Sequence, residues 1–261
     1  MEHLIQHFRK DEQPFIEKVI GWQREVEDRF APKLTDYLDP RERFIVNSVI
    51  GQSNEMKIVA DGGFLDAERQ RMLMAPNYFE PTKEDFQISI FSVNYPSKFV
   101  NLKHPDILGA LLSIGLNRGK FGDIHIDGDT IQISVAQEIE EYVAMNLTSI
   151  GKAKVQLEKV DDESKLIKMV QEWVRKSYTI SSMRLDTVLA SIFNVSRQKS
   201  QNLINADKVK VNWTIIDDTS FELQEGDIVS VRGLGRVKIL MTEGRTKKDK
   251  IRLQIGRLEQ K

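Results

Sequence analysis

The stretch that decides the fold of the C-terminal third is Met183–Arg236, which reads MRLDTVLASIFNVSRQKSQNLINADKVKVNWTIIDDTSFELQEGDIVSVRGLGR. Ser196 is a favoured N-cap and predicts the start of a helix with inward Leu203 and Ile204. After it, two valines alternate with two lysines over residues 208–211, which predicts a strand with one basic face. An earlier short helix is predicted by four apolar residues at helical spacing: Leu185, Val188, Leu189 and Ile192.

The charge of the chain is distributed unevenly. Residues 181–261 contain 15 Lys and Arg against 10 Asp and Glu, a net charge of +5, whereas residues 1–180 carry −6. A helix N-terminus beside mobile cations suits phosphate, because backbone N–H groups and positive charge converge there. The near-neutral total therefore hides a basic C-terminal third, an asymmetry that suggests contact with nucleic acid.

These residues together resemble the S4 domain, a small RNA-binding module. Two positions depart from the family pattern. Asp207 stands where Gly is usual, so we expect a left-handed backbone there, which Asp tolerates at some cost. Asn212-Trp213 replaces the usual Asn-Gly turn, and the Trp either stacks on a base or, as we favour, covers the small core.

Composition and terminal sequence bound the remaining possibilities. The chain has 261 residues and no cysteine, which excludes disulfides and thiolate chemistry and fits a reducing compartment. The first residues lack the basic and apolar regions of a signal peptide. The longest mainly apolar run, Ile107–Leu116, is too short to span a bilayer. We therefore expect a cytoplasmic protein with no membrane contact.

Two further units precede the basic third. In the first, Asp11 and Pro14 predict a helix start, Arg41–Val49 a second helix and Met56–Ala60 a strand. Gly63–Arg71 is polar and is interpreted either as a solvated turn and helix start or as part of a functional motif. The first helix is expected to bury one stripe of residues: Phe15, Val19, Trp22, Val26 and Phe30.

From Lys83 to Val160 the pattern predicts β-α-β-β-α-β. Alternating apolar residues mark a first strand, His104-Pro105 opens a helix, and Asp127-Gly128 forms a tight turn between two strands. Glu138–Leu147 is a second helix, and a last strand follows. This order is that of ferredoxin-like and RRM-like domains. The aromatic-rich strand by which a standard RRM stacks bases is missing, so another surface would contact RNA.

A second run of residues, Lys103–Asp106 with Leu116–Asp123, completes a wider resemblance. Together with Gly63–Arg69 and the S4-like segment, it resembles the YlmH family over nearly the whole chain, most weakly before about residue 55. The resemblance implies a cytosolic RNA-binding protein of Gram-positive bacteria, encoded among cell-division genes. That the protein binds RNA without catalysis is expected because known catalytic signatures are missing from the sequence. It also implies association with the large ribosomal subunit carrying obstructed peptidyl-tRNA, in ribosome quality control.

The fold class expected is thus α+β in three parts. A mainly helical N-terminal unit covers residues 1–81, a central RRM-like domain 82–162, a linker 163–182 and an S4 RNA-binding domain with a basic β tail 183–261. Because the linker is polar, we expect few contacts between the S4 domain and the rest, and a variable orientation. We expect a monomer with no cofactor, binding rRNA or tRNA and not DNA.

The candidate RNA-binding residues fall into two sets. The first lies in the S4 domain: Arg184, Ser196, Arg197, Lys199, Lys208, Lys210, Asn212, Arg232, Arg236 and Lys238. Six of these are expected to share one basic surface: Arg184, Arg197, Lys199, Lys208, Lys210 and Arg236. The second set comes from the other two units: His104, Arg118, Lys120, Phe121, Arg69 and Arg71. In the loop around Phe121, glycines allow close backbone approach to phosphate, but a helix cap with Phe121 in the core is nearly as good.

The alternative function is an RNA-modifying enzyme of the pseudouridine-synthase type. Arg184-Leu185-Asp186 superficially matches its catalytic motif, but here it opens a helix, where Asp186 suits a local salt bridge. Asp106, Asp123 or Glu68 would then be the catalytic carboxylates, and a deep pocket around them would favour this hypothesis. Nucleotide-binding loops and zinc motifs are missing, and a metal site is not expected from four scattered histidines: His3, His7, His104 and His125.

Overall fold

The computed structural model describes residues 8–51, 55–168 and 173–258. Its mixture of helices and antiparallel strands confirms the α+β fold class. The structure divides into two compact units, residues 1–170 and 171–261, and the division falls inside the expected linker. Within the described residues, no helix is long and apolar enough to cross a membrane. A variable orientation of the C-terminal unit stays a prediction, and His3 and His7 lie outside the described residues.

The N-terminal part of the first unit is two helices on a small antiparallel sheet. Pro14 lies in the first turn of α1 as predicted, but Glu12 is its N-cap rather than Asp11. Phe30 is 72 % exposed, because it ends the helix in a left-handed conformation instead of continuing the buried stripe. The sheet order is β1-β3-β2. The elements are α1 (Gln13–Arg29), β1 (Lys33–Leu38), α2 (Pro40–Ile50), β2 (Met56–Asp61) and β3 (Gln70–Pro76).

The central part has the predicted β-α-β-β-α-β order. Its four strands pair antiparallel in the order β5-β6-β4-β9, the arrangement of a ferredoxin-like sheet. Both helices pack on one side through a core that includes Leu111, Ile133 and Val143. The elements are β4 (Ile88–Asn94), α3 (His104–Ser113), β5 (Phe121–Asp127), β6 (Thr130–Ala136), α4 (Glu140–Asn146), β7 (Ser149–Ile150), β8 (Ala153–Lys154) and β9 (Gln156–Lys159).

The C-terminal unit is a six-stranded antiparallel sheet with two helices. Ser196 caps the second helix, and Asp207 has a φ of 54°, so both predictions are confirmed. Residues 173–180, expected in the linker, instead form a strand paired along its whole length with the last strand. The elements are β10 (Trp173–Ile180), α5 (Leu185–Ile192), α6 (Arg197–Asn205), β11 (Val209–Val211), β12 (Thr214–Ile215), β13 (Ile228–Val231), β14 (Gly235–Arg245) and β15 (Ile251–Leu258).

One face of this sheet is buried by the helices. Leu185, Leu189 and Ile204 from α5 and α6 pack against alternate residues of the strands, such as Val229 and Val237. The intervening residues, which lie on the opposite side, face away from the helices. We call this second side the outer sheet face. The order of the strands across the sheet is β10-β15-β14-β13-β11-β12. The register of their pairing shows which residues lie on the outer sheet face.

Candidate nucleic-acid interface

A buried carboxylate at the start of α5 holds two arginines together. Asp186 has no exposed surface. Its Oδ1 accepts Arg184 Nε at 3.1 Å and its Oδ2 accepts Arg184 Nη2 at 3.3 Å. The same Oδ2 accepts Arg197 Nε at 3.0 Å and Gln201 Nε2 at 3.1 Å. We call Arg184 and Arg197 with their shared carboxylate the arginine pair.

The arginine pair keeps a positive charge directed outward. Two guanidinium groups share one carboxylate, and the Arg197 side chain is 60 % exposed. Burial favours the neutral acid at Asp186, but the hydrogen bonds from Arg184, Gln201 and Arg197 outweigh it, so its pKa lies far below the usual range. The carboxylate is therefore ionised at neutral pH, and the cluster as a whole carries one net positive charge.

The N-terminus of α6 lies within the same cluster. Ser196 Oγ accepts the amide of Lys199 at 3.1 Å, while Ser200 Oγ donates to the carbonyl of Asp186 at 2.9 Å. These bonds fix the start of α6 against the start of α5. A helix N-terminus, two fixed guanidinium groups and the exposed side chain of Lys199 together form a surface suited to phosphate.

Three other cations among the RNA-binding candidates lie elsewhere, and two of them, Lys210 and Arg236, were expected on the same surface as the arginine pair. Lys210 pairs with Ser230, which pairs with Arg236, and Lys238 follows two residues along β14. All three alternate with core valines, so they lie on the outer sheet face. The prediction of a single surface is therefore wrong: the helix-start cations and the strand cations occupy opposite sides of the sheet. Lys208 and Arg232 are exposed just outside strands β11 and β13.

Asn212 is a structural residue rather than an RNA contact. It is 8 % exposed, its Nδ2 donates to Asp227 Oδ1 at 2.8 Å, and its Oδ1 accepts the amide of Ile228 at 2.9 Å. Both polar ends of the side chain are thus engaged inside the turn. The neighbouring Trp213 is half-buried, and the Arg236 guanidinium lies 5.9 Å from its ring centroid.

Arg69 and Arg71, also predicted to contact RNA, are interior residues. Arg69 is 7 % exposed and donates to the carbonyl of Tyr37, and Arg71 is 4 % exposed and donates to the carbonyls of Thr35 and Gln87. Arg71 also pairs with Glu138 at 3.1 Å. The polar segment that suggested a solvated turn and helix start leads instead into strand β3, where these arginines join the N-terminal sheet to the central domain.

The loop at residues 118–122 is structural as well. Phe121 is completely buried, so it offers no stacking surface. Lys120 Nζ donates to Asp36 at 2.7 Å and Glu138 at 3.0 Å. Arg118 donates to the carbonyls of Phe121 and Gly122 and lies 4.5 Å from the Phe121 ring centroid. Burial, together with the nearby Arg69 charge, lowers the pKa of Arg118 to about 10.

A deeper reason for the glycine in this loop is the approach of the N-terminal sheet. A Cβ on Gly122 would lie 2.6 Å from both Ser134 Oγ and the Tyr37 ring. Tyr37 Oη bonds to Ser134 Oγ at 2.7 Å, and Ser134 Oγ also lies 2.9 Å from the carbonyl of Gly62. Burial raises the pKa of Tyr37 above its ordinary value, so this hydroxyl stays protonated. The motif residues of this region thus bind the two parts of the unit together.

The candidate catalytic carboxylates have structural partners. Asp123 accepts the backbone amides of Glu68 and Arg69 at 2.5 and 3.1 Å, and burial raises its pKa. Asp106 accepts the amide of Lys103, the N-cap residue of helix α3, at 2.9 Å. His104 is the first residue of that helix and is exposed. Among the described residues, no group of His, Asp and Glu is arranged to hold a metal ion.

The free face of the central sheet is covered from within the unit. Phe64 and Ala67, in the connection between β2 and β3, pack on Ile90 of β4. Phe64 also stacks on His125 of β5, with ring centroids 3.9 Å apart. Gln132 of β6 is held by the backbone of residues 165 and 167 at 2.9 and 2.8 Å. The surface on which an RRM stacks bases is therefore filled by the chain's own residues.

One residue of the interface, Gln201, escapes detection from sequence, and the role of a second, Asp186, is anticipated only in part. Gln201 is a polar residue on a polar helix, and only its reach to Asp186 shows its role. Asp186 was interpreted as a local salt-bridge residue, which is confirmed, but its sharing between two arginines was not anticipated. The spacing of Asp186 and Arg197 across two helices was the available signal.

The fold and the arginine pair define a protein with an S4 domain behind a ferredoxin-like domain. Three family models match: "YlmH, N-terminal" over residues 11–79, "Putative RNA-binding domain in YlmH" over 81–164 and "S4 domain" over 183–229. The chain is 44 % identical over 257 residues to "Ribosome-associated protein quality control protein P2" of Bacillus subtilis (strain 168), covering 98 % of this chain and 99 % of that protein. The chain therefore belongs to the YlmH family.

A solved structure agrees with this assignment. "Cell division protein ylmH from Streptococcus pneumoniae" matches with a TM-score of 0.54 and 32 % identity, over 62 % of this chain and 98 % of that one. The family resemblance inferred from the motifs is confirmed. Two of the segments that carry it in the first unit, Gly63–Arg69 and Leu116–Asp123, join the N-terminal sheet to the central domain.

Proposed function

We propose that this protein binds structured RNA of the large ribosomal subunit and tRNA, without catalysis, in quality control of stalled peptidyl-tRNA complexes. The observation that carries the proposal is the arginine pair at the paired starts of α5 and α6. It presents fixed guanidinium groups beside a helix N-terminus, an arrangement that binds phosphate and orients it. The printed name of the Bacillus subtilis relative supplies the ribosomal context.

Phosphate contacts of this kind hold a protein in register on RNA without reading its sequence. Lys199, exposed one turn into α6, extends the charge along the same surface. A ribosomal partner supplies a rigid array of phosphates, so a prearranged cluster gains affinity by avoiding the entropy cost of ordering long side chains. The protein would act as a monomer, since each S4 domain carries its own complete cluster.

Against the alternative of an RNA-modifying enzyme, two carboxylates considered for catalysis are already held by other groups of the chain. Asp186 is bound by two arginines and a glutamine, and Asp123 by two backbone amides. A catalytic aspartate has to reach the base that it attacks, which neither carboxylate could do without breaking these bonds. Binding is therefore the function that the geometry supports best.

The test is to crosslink the protein to RNA in growing cells and sequence the attached fragments. The proposal predicts enrichment of a few defined positions of large-subunit rRNA and of tRNA. The variant Arg184→Glu with Arg197→Glu should lose these positions. An even spread over unrelated RNAs in the wild-type protein, or an unchanged pattern in the variant, would overturn the proposal.

A further inference from the structure

The outer sheet face of the C-terminal unit carries a second set of cations, separate from the arginine pair. Across the strands, Lys238 of β14 pairs with Gly256 of β15, which in turn pairs with Arg175 of β10. Gly256 has no side chain, so the row has a cation on each side of a gap. Adjacent strands are about 4.8 Å apart, which places the two cationic backbones about 10 Å from each other.

An aromatic ring fills the edge of this gap. A Cβ on Gly256 would lie 3.3 Å from the Trp173 Cβ and 3.3 Å from an atom of its indole ring. Trp173 is half-buried, so part of the ring is open to solvent. Its neighbour two residues along the strand on the same face is Arg175, which is exposed. Trp173 thus lies against the backbone of β15 at Gly256 and beside Arg175 of its own strand.

A second indole ring lies beside a cation on the same face, at Arg236, two residues before Lys238 on β14. Arg236 lies over the ring of Trp213 at 5.9 Å and pairs through Ser230 with Lys210. The face therefore presents two indole rings, each beside positively charged side chains. One carboxylate, Glu243, lies farther along and is hydrogen-bonded by Gln254. In the described part of the chain, Lys210, Lys238 and Arg175 form no ion pair with a carboxylate.

We propose that the outer sheet face binds a single-stranded segment of RNA, with Trp173 and Trp213 stacking on bases and Arg175, Lys210, Arg236 and Lys238 contacting phosphates. The inference rests on the proposed function only in taking RNA as the partner. A flat sheet with aromatic rings between cations binds single strands, because every base has a face that can stack while the cations follow the backbone. Duplex RNA hides its bases and cannot use the rings.

Because the arginine pair and the outer sheet face lie on opposite sides of one sheet, the S4 domain would connect two RNA segments. Each segment alone would bind weakly, and both together would bind with a much higher effective affinity. An S4 domain built in this way selects a place where a structured element and an unpaired strand lie close together.

The test uses the full chain and a fluorescein-labelled single-stranded RNA of about ten nucleotides and mixed sequence, a length that matches typical site sizes. Arg175→Glu with Lys238→Glu should weaken binding about tenfold or more, through lost phosphate contacts. The matched control, Lys247→Glu with Lys248→Glu, makes the same change in net charge in the exposed turn between β14 and β15. Equal losses in both variants would reduce the effect to general electrostatics and overturn the proposal.

Two further measurements test the chemistry. Trp173→Leu should weaken single-strand binding on the order of fivefold or more and leave duplex binding unchanged, and Trp173→Phe should restore part of the loss if the leucine variant is unstable. An acidic peptide, poly-glutamate, should compete poorly. Three outcomes would each contradict the proposal: tighter binding of the peptide than of RNA, an equal loss of affinity for duplex RNA in Trp173→Leu, or an unchanged affinity of Trp173→Leu for single-stranded RNA.

Failure here is distinguishable from failure of the proposed function. Suppose that Arg184→Glu with Arg197→Glu no longer binds ribosomes, while Arg175→Glu with Lys238→Glu keeps its affinity for single-stranded RNA. Then only the proposal for the outer sheet face is wrong. If the arginine-pair variant still binds ribosomes, the proposed function is wrong whatever the single-strand assay gives.

Discussion

At the scale of single residues, Asp186 has a role opposite to the one its charge suggests. A carboxylate on an RNA-binding surface should repel phosphate, yet here it keeps two guanidinium groups side by side that would otherwise repel each other. Its own charge is buried and fully hydrogen-bonded. Positioning of the arginine pair and direct electrostatics therefore predict opposite effects of removing this charge.

The first prediction is that Asp186→Asn weakens RNA binding about tenfold, although it removes a negative charge from a basic surface. The reason is that Arg184 and Arg197 lose the shared negative charge and one of its two acceptor oxygens, and therefore separate. Affinity for ribosomal RNA at fixed ionic strength measures the effect. The control Asp249→Asn removes the same charge from an exposed pair with Arg245 and should leave affinity unchanged or slightly higher. Tighter binding by the Asp186 variant would refute the positioning role.

The second prediction concerns pH. Because the pKa of folded Asp186 lies far below that of an unfolded carboxyl, its ion pairs stabilise the fold at neutral pH. This contribution is lost as the pH falls below the usual carboxyl value of about 3.9 toward the lowered one. The difference in unfolding free energy between wild type and Asp186→Asn should therefore be largest near neutral pH and shrink on acidification. A difference that stays constant from neutral to acidic pH would contradict this.

At the scale of elements, a buried polar contact joins the N-terminal sheet to the central sheet. Tyr37 of β1 and Ser134 of β6 share a hydrogen bond in the interior, and Arg71 of β3 reaches the carbonyl of Gln87. Polar groups buried in this way are costly to leave unpaired. The two sheets should therefore unfold as one cooperative unit.

The third prediction follows from this contact. Tyr37→Phe leaves Ser134 without one partner and should lower the unfolding free energy by roughly 1–3 kcal/mol. Trp22 fluorescence reports on the N-terminal helices, and hydrogen exchange of the β6 amides reports on the central sheet. Both probes should report the same decrease in unfolding free energy in the variant. A decrease reported by only one probe would mean that the two sheets unfold independently.

The fourth prediction concerns the loop at residues 118–122. In the double variant, Arg118→Ala removes hydrogen bonds to two backbone carbonyls. Lys120→Ala removes the ion pairs with the carboxylates of Asp36 and Glu138. We expect a lower melting temperature and unchanged RNA affinity at a temperature where the variant is folded. Lys152→Ala with Lys154→Ala, at exposed positions of the same domain, should change neither quantity. Reduced RNA binding without loss of stability would instead assign this loop to the RNA interface.

The elements differ in how far the sequence predicts them. Regular apolar spacing predicts α5, the cap at Ser196 predicts α6, and Asp127-Gly128 predicts the β5–β6 hairpin, all of which the structure contains. Strands β1 and β10 have mixed polar composition, and only their partners β3 and β15 make them strands. Local propensity is too weak to reveal pairing with residues far along the chain.

The candidate site shows the same division. The arginines at the helix starts were predicted from local motifs, because helix caps and phosphate sites are local features. Arg69, Arg71 and Phe121 were misjudged because a polar or glycine-rich segment looks the same whether it meets solvent or another sheet. The two sides of the C-terminal sheet could be separated only through strand register, which the sequence leaves open.

At the scale of the whole molecule, the basic C-terminal third compensates the acidic remainder, so net charge alone gives no indication of RNA binding. The groups that we propose to bind RNA lie in the unit of residues 171–261, while the motifs of the first unit contribute to its internal packing. Binding should therefore depend steeply on salt through the C-terminal unit and hardly at all on substitutions at Arg69 or Arg118.

The most direct test of the central claim is co-sedimentation of the full chain with purified large and small ribosomal subunits. We predict binding to the large subunit, strongest when it carries peptidyl-tRNA, and about a hundredfold loss for Arg184→Glu with Arg197→Glu. The control Lys247→Glu with Lys248→Glu should keep most of the affinity. Unchanged sedimentation of the arginine-pair variant with the large subunit, with its fold intact, would contradict the account.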